Sequence, residues 1–445
     1  MKTKKRVITV GFGRKKTAAM LSVLGLSLTI SACGSGSPTA QPAQGGDKKS
    51  EVKLRITWAG SQVRHDATLK ALDAYTKLHP EVKFEPEYMG FDTYWTKMGT
   101  LSAARNLPDI LQIDTNNLMD YAQRGQLLDI GSGISASDID PSLIKAGNVD
   151  GKQYAIPIGA NAIALHYDKV MLEKLGIQVP DQGFTWDELI KLAREVKPKL
   201  DKGKYLLQDL SVSIAGNETD KYEIYQLAQG KGLLHTPDGK FNIDKDTFVK
   251  FNQLFAELRK DGIVPPIDVT VANKENDPKL DNLLNGTIMI QRGYAASIGA
   301  IDGVKPGQFG LMVTPKAVKS GSFLLPAQFF AVSKESKYPE EAKKFIDWLV
   351  NDVEAGKILG LSRGPQVSKK VSEALTSTYT DVEKQQIDLI QKTAPIANEF
   401  NSRPKGYGSF AGEYNKISQQ IGFGKITPEQ GFDELKKKWQ ETVGK

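Results

Sequence analysis

The chain has 445 residues, 40% hydrophobic and 25% charged, which is ordinary for a water-soluble globular protein large enough for two or three domains. Its net charge of +7 would suit a nucleic-acid binder, but seven basic side chains (Lys2, Lys4, Lys5, Arg6, Arg14, Lys15, Lys16) lie in residues 1–32, where there is no acidic residue. The remainder is balanced at 52 basic and 52 acidic side chains, so a basic footprint for nucleic acid is excluded.

Residues 1–32 read as a signal peptide. The basic stretch ends at Lys16, and Ala18 to Ile30 is small and apolar, too short for a membrane span of about 20 residues but right for a signal core. Ile30-Ser31-Ala32-Cys33 resembles the lipobox of bacterial lipoproteins, which implies lipid on Cys33, the only cysteine. Internal disulfides are thereby excluded, and stability must come from core burial. Residues 33–50 are Gly, Ser, Pro, Gln and charge, and read as a flexible tether. The expected location is the outer face of the cytoplasmic membrane, anchored but not spanning.

Leu54, Ile56 and Trp58 alternate with Arg55 and Thr57, predicting a strand that ends at an aromatic before a Gly60-Ser61 turn and a helix start carrying Arg64 and His65. Asp66 to Leu78 is a helix stopped by His79-Pro80, Val82 to Tyr88 a strand, and Phe91 to Arg105 a helix. Leu107 to Asp114 is a third strand, and Asn117 to Arg124 a helix closed by Gly125. This alternation predicts an α/β fold with a parallel sheet, and ligands sit outside the carboxyl ends of such strands. Trp58 to Gln62 and Asp114-Thr115-Asn116 are the polar or aromatic ends expected to face one crevice.

A strand-like run from Lys152 is broken at Pro157 and Gly159 and resumes at Ala162, which suits a segment passing between lobes. Thr185 with Glu188 predicts a capping box. Helices are expected at Thr219–Gln229 and Asp246–Lys260, and a strand at Thr287–Gln291 with the tip Arg292-Gly293-Tyr294. Phe309–Thr314 and Ser322–Ser333 read as return crossings, Glu340–Val350 as a helix, and the rest as mostly helical around the loop Arg403 to Gly408.

The four histidines lack metal-ligand spacing, and no nucleophile elbow, phosphate loop or calcium loop is present. No metal or cofactor is expected. Carboxylates are plentiful, so a hydrolytic pair stays open, and with it an enzyme acting on oligosaccharides. Trp95, Trp186, Trp348 and Trp439 lie on apolar helix faces and read as core. Trp58 reads equally as ligand contact or core. Asp114 and Asn116 also suit a helix cap, and Arg292 and Tyr294 also suit hinge-side surface.

Pro108-Asp109-Ile110 through Tyr121-Ala122-Gln123-Arg124-Gly125-Gln126-Leu127-Leu128, with the lipobox, the tether and the Trp58 strand, resembles the family 1 extracellular solute-binding proteins of carbohydrate ABC importers. The pieces Arg64 to Thr68 and Phe91 to Trp95 are similar to a Gram-positive subgroup linked to plant-wall oligosaccharides. The resemblance implies two Rossmann-like lobes joined by three crossings in a type II periplasmic-binding-protein-like fold. The expected division is 51–158 plus 326–358 for one lobe and 159–325 plus 359–445 for the other. It implies a non-catalytic monomer that takes a carbohydrate and delivers it to permease subunits. Trp58 matches the family's strand-end aromatic, Gly60 to Arg64 its first sugar loop, Asp114 to Asn116 its second, and Tyr294 stands where a stacking tryptophan is common. His65, Asn161, Arg292 and Gln328 complete the expected ligand set. A receptor for a non-sugar solute such as a peptide is the other reading.

Overall fold

The computed structural model describes residues 51–443, except 215–217, 276, 278 and the side chain of Asp92. The expected signal peptide, Cys33 and tether lie outside the described residues. Among those described, no helix is long and apolar enough to cross a membrane.

The first strand, β1 (Val52–Ala59), leads into α1 (Gln62–Leu78), β2 (Val82–Met89), α2 (Phe91–Ala103), β3 (Ile110–Ile113) and α3 (Leu118–Gln123). α1 starts four residues earlier than the apolar pattern suggests, so Arg64 and His65 lie within its first turn. Thr68, Ala71, Leu72 and Tyr75 form its buried stripe, at the spacing of a helix with one face on a sheet.

The long strand β4 (Ala155–Asp168) is continuous, where a break at Pro157 and Gly159 was expected. The reason lies in its neighbours. Ala160 N–H donates to Pro365 O (2.8 Å), and the pairing with β8 shifts twice, skipping Ala327 on that strand and Ile158 on this one, so the irregularity is absorbed without ending the strand. Further on come α4 (Trp186–Val196), β5 (Tyr205–Leu207), α5 (Asp220–Ala228), α6 (Lys245–Lys260), β6 (Ile288–Tyr294), β7 (Phe309–Met312) and β8 (Leu324–Val332). The Thr185–Glu188 capping box opens α4 as expected. The last elements used below are α7 (Pro339–Asn351), α8 (Val353–Leu359), α9 (Asp381–Thr393), α10 (Tyr407–Gly422) and α11 (Pro428–Thr442).

One mixed sheet runs in the order β2-β1-β3-β8-β4-β6-β5, with β7 also paired to β4. β1, β2 and β3 are parallel, and β8 runs antiparallel to both β3 and β4. β4 pairs with β8 through its first half and with β6 through its second. Helices cover both faces, giving the α/β fold. Leu54, Ile56 and Trp58 pack with Leu72, Tyr75 and Phe345 on one face. Leu111 and Ile113 pack with Tyr94, Met98 and Tyr121 on the other, in a cluster that continues through Ile163 and Leu165 to Trp186, Phe251 and Trp439. Each such buried side chain contributes about 1.5–3 kcal/mol of transfer free energy.

Candidate functional site

The register fixes where the strand ends meet. Ile113, the end of β3, is level with Phe329 and hence with Pro157 of β4. Tyr294, the end of the oppositely directed β6, is level with Ile163. Six residues of β4 separate these levels, about 20 Å at about 3.3 Å per residue. The carboxyl ends of β1–β3 on one side and of β5–β6 on the other therefore face the same middle stretch of β4 and β8. Asn161 and Gln328 stand in that stretch, both half-buried. Asn161 Oδ1 accepts from Ala296 N–H (3.1 Å), tying the crossing to the segment after β6. Gln328 lies in the β8 bulge, and its Oε1 is buried without a partner.

At the β1 end, Trp58 is 0% exposed. Its indole N–H donates to His65 Nδ1 (3.1 Å), and Tyr88 stacks on it with centroids 5.2 Å apart. In this structure Trp58 offers no surface, and Tyr88 does. Arg64 is half-buried, its Nε donating to Ser362 O (3.0 Å) and Nη1 to Ala59 O (3.4 Å). Behind it, the buried Arg363 donates to Gln112 Oε1 (3.0 Å) and Thr68 Oγ1 (2.8 Å). Burial and then the Arg64 charge pull Arg363 down to about 9. His65 is pulled down by burial, then by Arg363 and Arg64. The imidazole is therefore neutral near pH 7, and Nδ1 is free to accept the Trp58 proton.

At the β3 end, Asp114 Oδ1 accepts from the backbone N–H groups of Asn116 (3.0 Å) and Asn117 (2.9 Å), closing the turn that leads into α3, whose own N-cap Asn117 makes no side-chain cap bond. Burial raises the Asp114 carboxyl despite these bonds. Thr115 O accepts from Arg403 N–H (2.9 Å), and the Arg403 guanidinium is paired with the buried Glu223 (2.5 Å).

At the β6 end, Arg292 is buried and pairs with Asp220, the first residue of α5, which also accepts from the Tyr294 hydroxyl. The Arg292 guanidinium lies over the Tyr294 ring at 4.4 Å. Burial lowers the arginine, but Asp220 and its neighbours outweigh it, and the net shift is upward. Asp220 is raised, by burial first, and its Oδ1 has no hydrogen-bond partner among the described residues.

Thr115 is thus linked through Arg403 toward the Arg292–Asp220–Tyr294 group, and Asn161 through Ala296 to the same strand end. Trp58, Arg64 and His65 form a separate group, fastened to Ser362 through the Arg64 guanidinium. Sequence reasoning missed Tyr88, Gln112, Asp220, Glu223 and Arg363 as parts of this region. Only Tyr88 carried a local signal, as an aromatic near the end of a strand. Among the described residues, no group of three or more His, Cys, Asp or Glu is placed to hold a metal ion. The arrangement offers half-buried amide, carboxylate and guanidinium groups and aromatic edges to a small polar solute.

The family profile described as bacterial extracellular solute-binding protein matches residues 70–383. The chain is 23% identical over 227 residues to a multiple sugar-binding protein of Streptococcus mutans, covering 46% of this chain and 50% of that one. It therefore spans about half the length of that curated relative. It is 25% identical over 348 residues to a diacetylchitobiose-binding protein of Streptomyces coelicolor, covering 76% of this chain and 79% of that one. A solved family 1 extracellular solute-binding protein from Alicyclobacillus acidocaldarius superposes with a TM-score of 0.74 at 29% identity, over 89% of this chain and 99% of its own. Since the profile covers well over half of the sequence, the chain belongs to the bacterial extracellular solute-binding proteins.

Proposed function

We propose that this protein is an exported, lipid-anchored receptor that binds a sugar or oligosaccharide and hands it to an ABC permease without altering it. The observation that carries this reading is the convergence of two sets of strand ends on the Asn161–Gln328 stretch of the two crossing strands. Family membership and relatives named for sugars support it. Sugars present apolar C–H faces and many hydroxyls, so a site needs rings and fixed polar forks. Asp114, Thr115, Asn116, Asn161, Arg64, Tyr294 and Gln328 are half-buried groups of those types.

On this reading residues 51–158 with 326–358 form one lobe, and 159–325 with 359–445 the other. Closure is a hinge motion about β4, β8 and the segment near Arg363, biased by a ligand that touches both lobes. Lipid on Cys33 keeps the monomer beside its permease, raising its effective concentration there.

Thermal denaturation against a panel of sugars tests the reading. A ligand at 100 times its dissociation constant is expected to add about 2.7 kcal/mol. Stabilisation by a peptide or a metal, with none by any sugar, refutes it. Recovery of cleaved oligosaccharide would refute the non-catalytic part.

A further inference from the structure

We propose that Tyr88 and Phe91 form an outer sugar-stacking subsite at the rim of the crevice, so that the ligand is an oligosaccharide of three or more units. This rests on the sugar reading above and extends it to ligand length. Both rings are large, apolar and open to solvent, Tyr88 41% and Phe91 46% exposed. They flank Gly90, where a Cβ would meet no heavy atom within 4 Å apart from its chain neighbours, so the backbone between them borders open space.

Neither ring is loose. Tyr88 is backed by Trp58 in a stack (5.2 Å, 25°) and by His65 at 4.6 Å. The buried tryptophan therefore serves as the support for the ring that is presented. Over the Phe91 ring the Arg64 guanidinium lies 5.5 Å from the centroid, held by the Ser362 and Ala59 carbonyls. Its Nη2 has no hydrogen-bond partner among the described residues. Two supported rings, one with a fixed, unused N–H donor above its face, suit the C–H face and a hydroxyl of a pyranose.

Position gives the length. β2 is the edge strand of the sheet, parallel to β1, so Tyr88 opens on the same side as the Trp58 and Asp114 ends. Three strand spacings separate β2 from β8, about 14 Å at about 4.8 Å each. A single ring bound at Asn161 and Gln328 cannot also reach Phe91. A chain of sugars lying across the strand ends can.

Calorimetry on the full-length protein in detergent tests this, with matched di- and tetrasaccharides of α-1,4-glucose, β-1,4-galactose, β-1,4-xylose and α-1,4-galacturonate. In the series that binds, the tetrasaccharide is expected to bind at least tenfold tighter than the disaccharide. Phe91→Ala and Tyr88→Ala should each shrink that ratio threefold or more, and Phe91→Tyr should restore it. Phe91→Ala removes a half-exposed ring and guards against a folding defect from loss of the Trp58 stack. A disaccharide bound as tightly as the tetrasaccharide, or a length ratio indifferent to both alanine variants, overturns the outer subsite and leaves the sugar reading standing. Binding in none of the four series overturns the subsite, and the sugar panel above then decides the reading beneath it.

Discussion

Acidification is expected to destabilise this protein through a histidine beneath the candidate site. His166 is 2% exposed, its Nε2 lies 2.9 Å from Tyr294 O, and its Nδ1 has no partner. Gly293 lies against the ring so closely that a Cβ there would overlap it. Burial, and secondarily the Arg292 charge, holds the imidazole down at about 4, against 6.5 in the open chain. Between those values the unfolded chain binds a proton that the folded chain refuses. The stabilisation is therefore complete above pH 6.5 and is lost as pH falls toward 4. At about 1.36 kcal/mol per pH unit, the loss approaches about 3 kcal/mol. His235, also held at about 4 by burial and then Arg403, acts in the same direction. Asp114, Asp220 and Glu275 oppose it, because burial raises their carboxyls and they take up protons in the folded state first. The raw pH profile mixes these terms, so the informative quantity is the difference between wild type and His166→Gln, whose amide can still donate to Tyr294 O. Urea unfolding followed by tryptophan fluorescence at pH 7.5, 6.5, 5.5 and 4.5 should show the two curves converging by about 1 kcal/mol per unit below 6.5. Parallel loss of stability in both proteins would refute the assignment.

Two further substitutions probe the framework of the site. Asp220→Asn leaves buried Arg292 without its paired charge and should cost about 3–5 kcal/mol, whereas Asp220→Leu with Arg292→Met should cost less than the single change; chemical denaturation midpoints decide between them. Gly159→Ala places a methyl group on the Arg363 carbonyl oxygen and should cost about 1–3 kcal/mol, with faster hydrogen exchange at the Ala160 amide that bonds Pro365 O. Unchanged exchange there would mean that the Arg363 segment yields freely.

The fold was legible where one periodicity governed a long segment. Leu54-Ile56-Trp58 and the α1 stripe each have a single face to bury, and the alternation of strand and helix forces the parallel β1–β3 arrangement. Local rules failed at Pro157 and Gly159, which look like chain breakers. The strand is held across them by Pro365, which accepts from Ala160 N–H, and by a doubly shifted pairing with β8, some 170 to 200 residues away. The strand ends at Trp58 and Asp114 could be placed on one side of the sheet from topology, whereas Tyr294 entered the expected set only through the family resemblance. Which of them presents surface could not be read, because that depends on Tyr88 covering Trp58 and on Asp220 capturing the Tyr294 hydroxyl. Arg363 was invisible for the same reason, since its partners Gln112 and Thr68 lie on other elements some 250 to 300 residues earlier.

The distribution of charge shows how such a crevice could move at low cost. The strong pairs, Arg292–Asp220, Arg403–Glu223 and Arg259–Asp209, are buried or, at Arg259, largely buried, and all lie within the second proposed lobe. The bonds that join the proposed lobes near residues 399–403 are of another kind. Arg403 N–H to Thr115 O and Ser402 Oγ to Ala146 O are single neutral hydrogen bonds, and the Lys145–Glu399 pair is exposed. Neutral hydrogen bonds contribute about 0.5–1.5 kcal/mol net, and exposed ion pairs about 0–1 kcal/mol. Opening the proposed lobes at residues 399–403 would break only these weak links, while the buried ion pairs move intact with the second lobe and the Arg363 bonds to Gln112 and Thr68 stay at the hinge. A solute that touches both Asn116 and Tyr294 can supply a few kcal/mol of differential contact, enough to shift that balance. The paired charges thus stiffen the second proposed lobe, and with no buried ion pair across residues 399–403 among those described, closure there is left to the ligand.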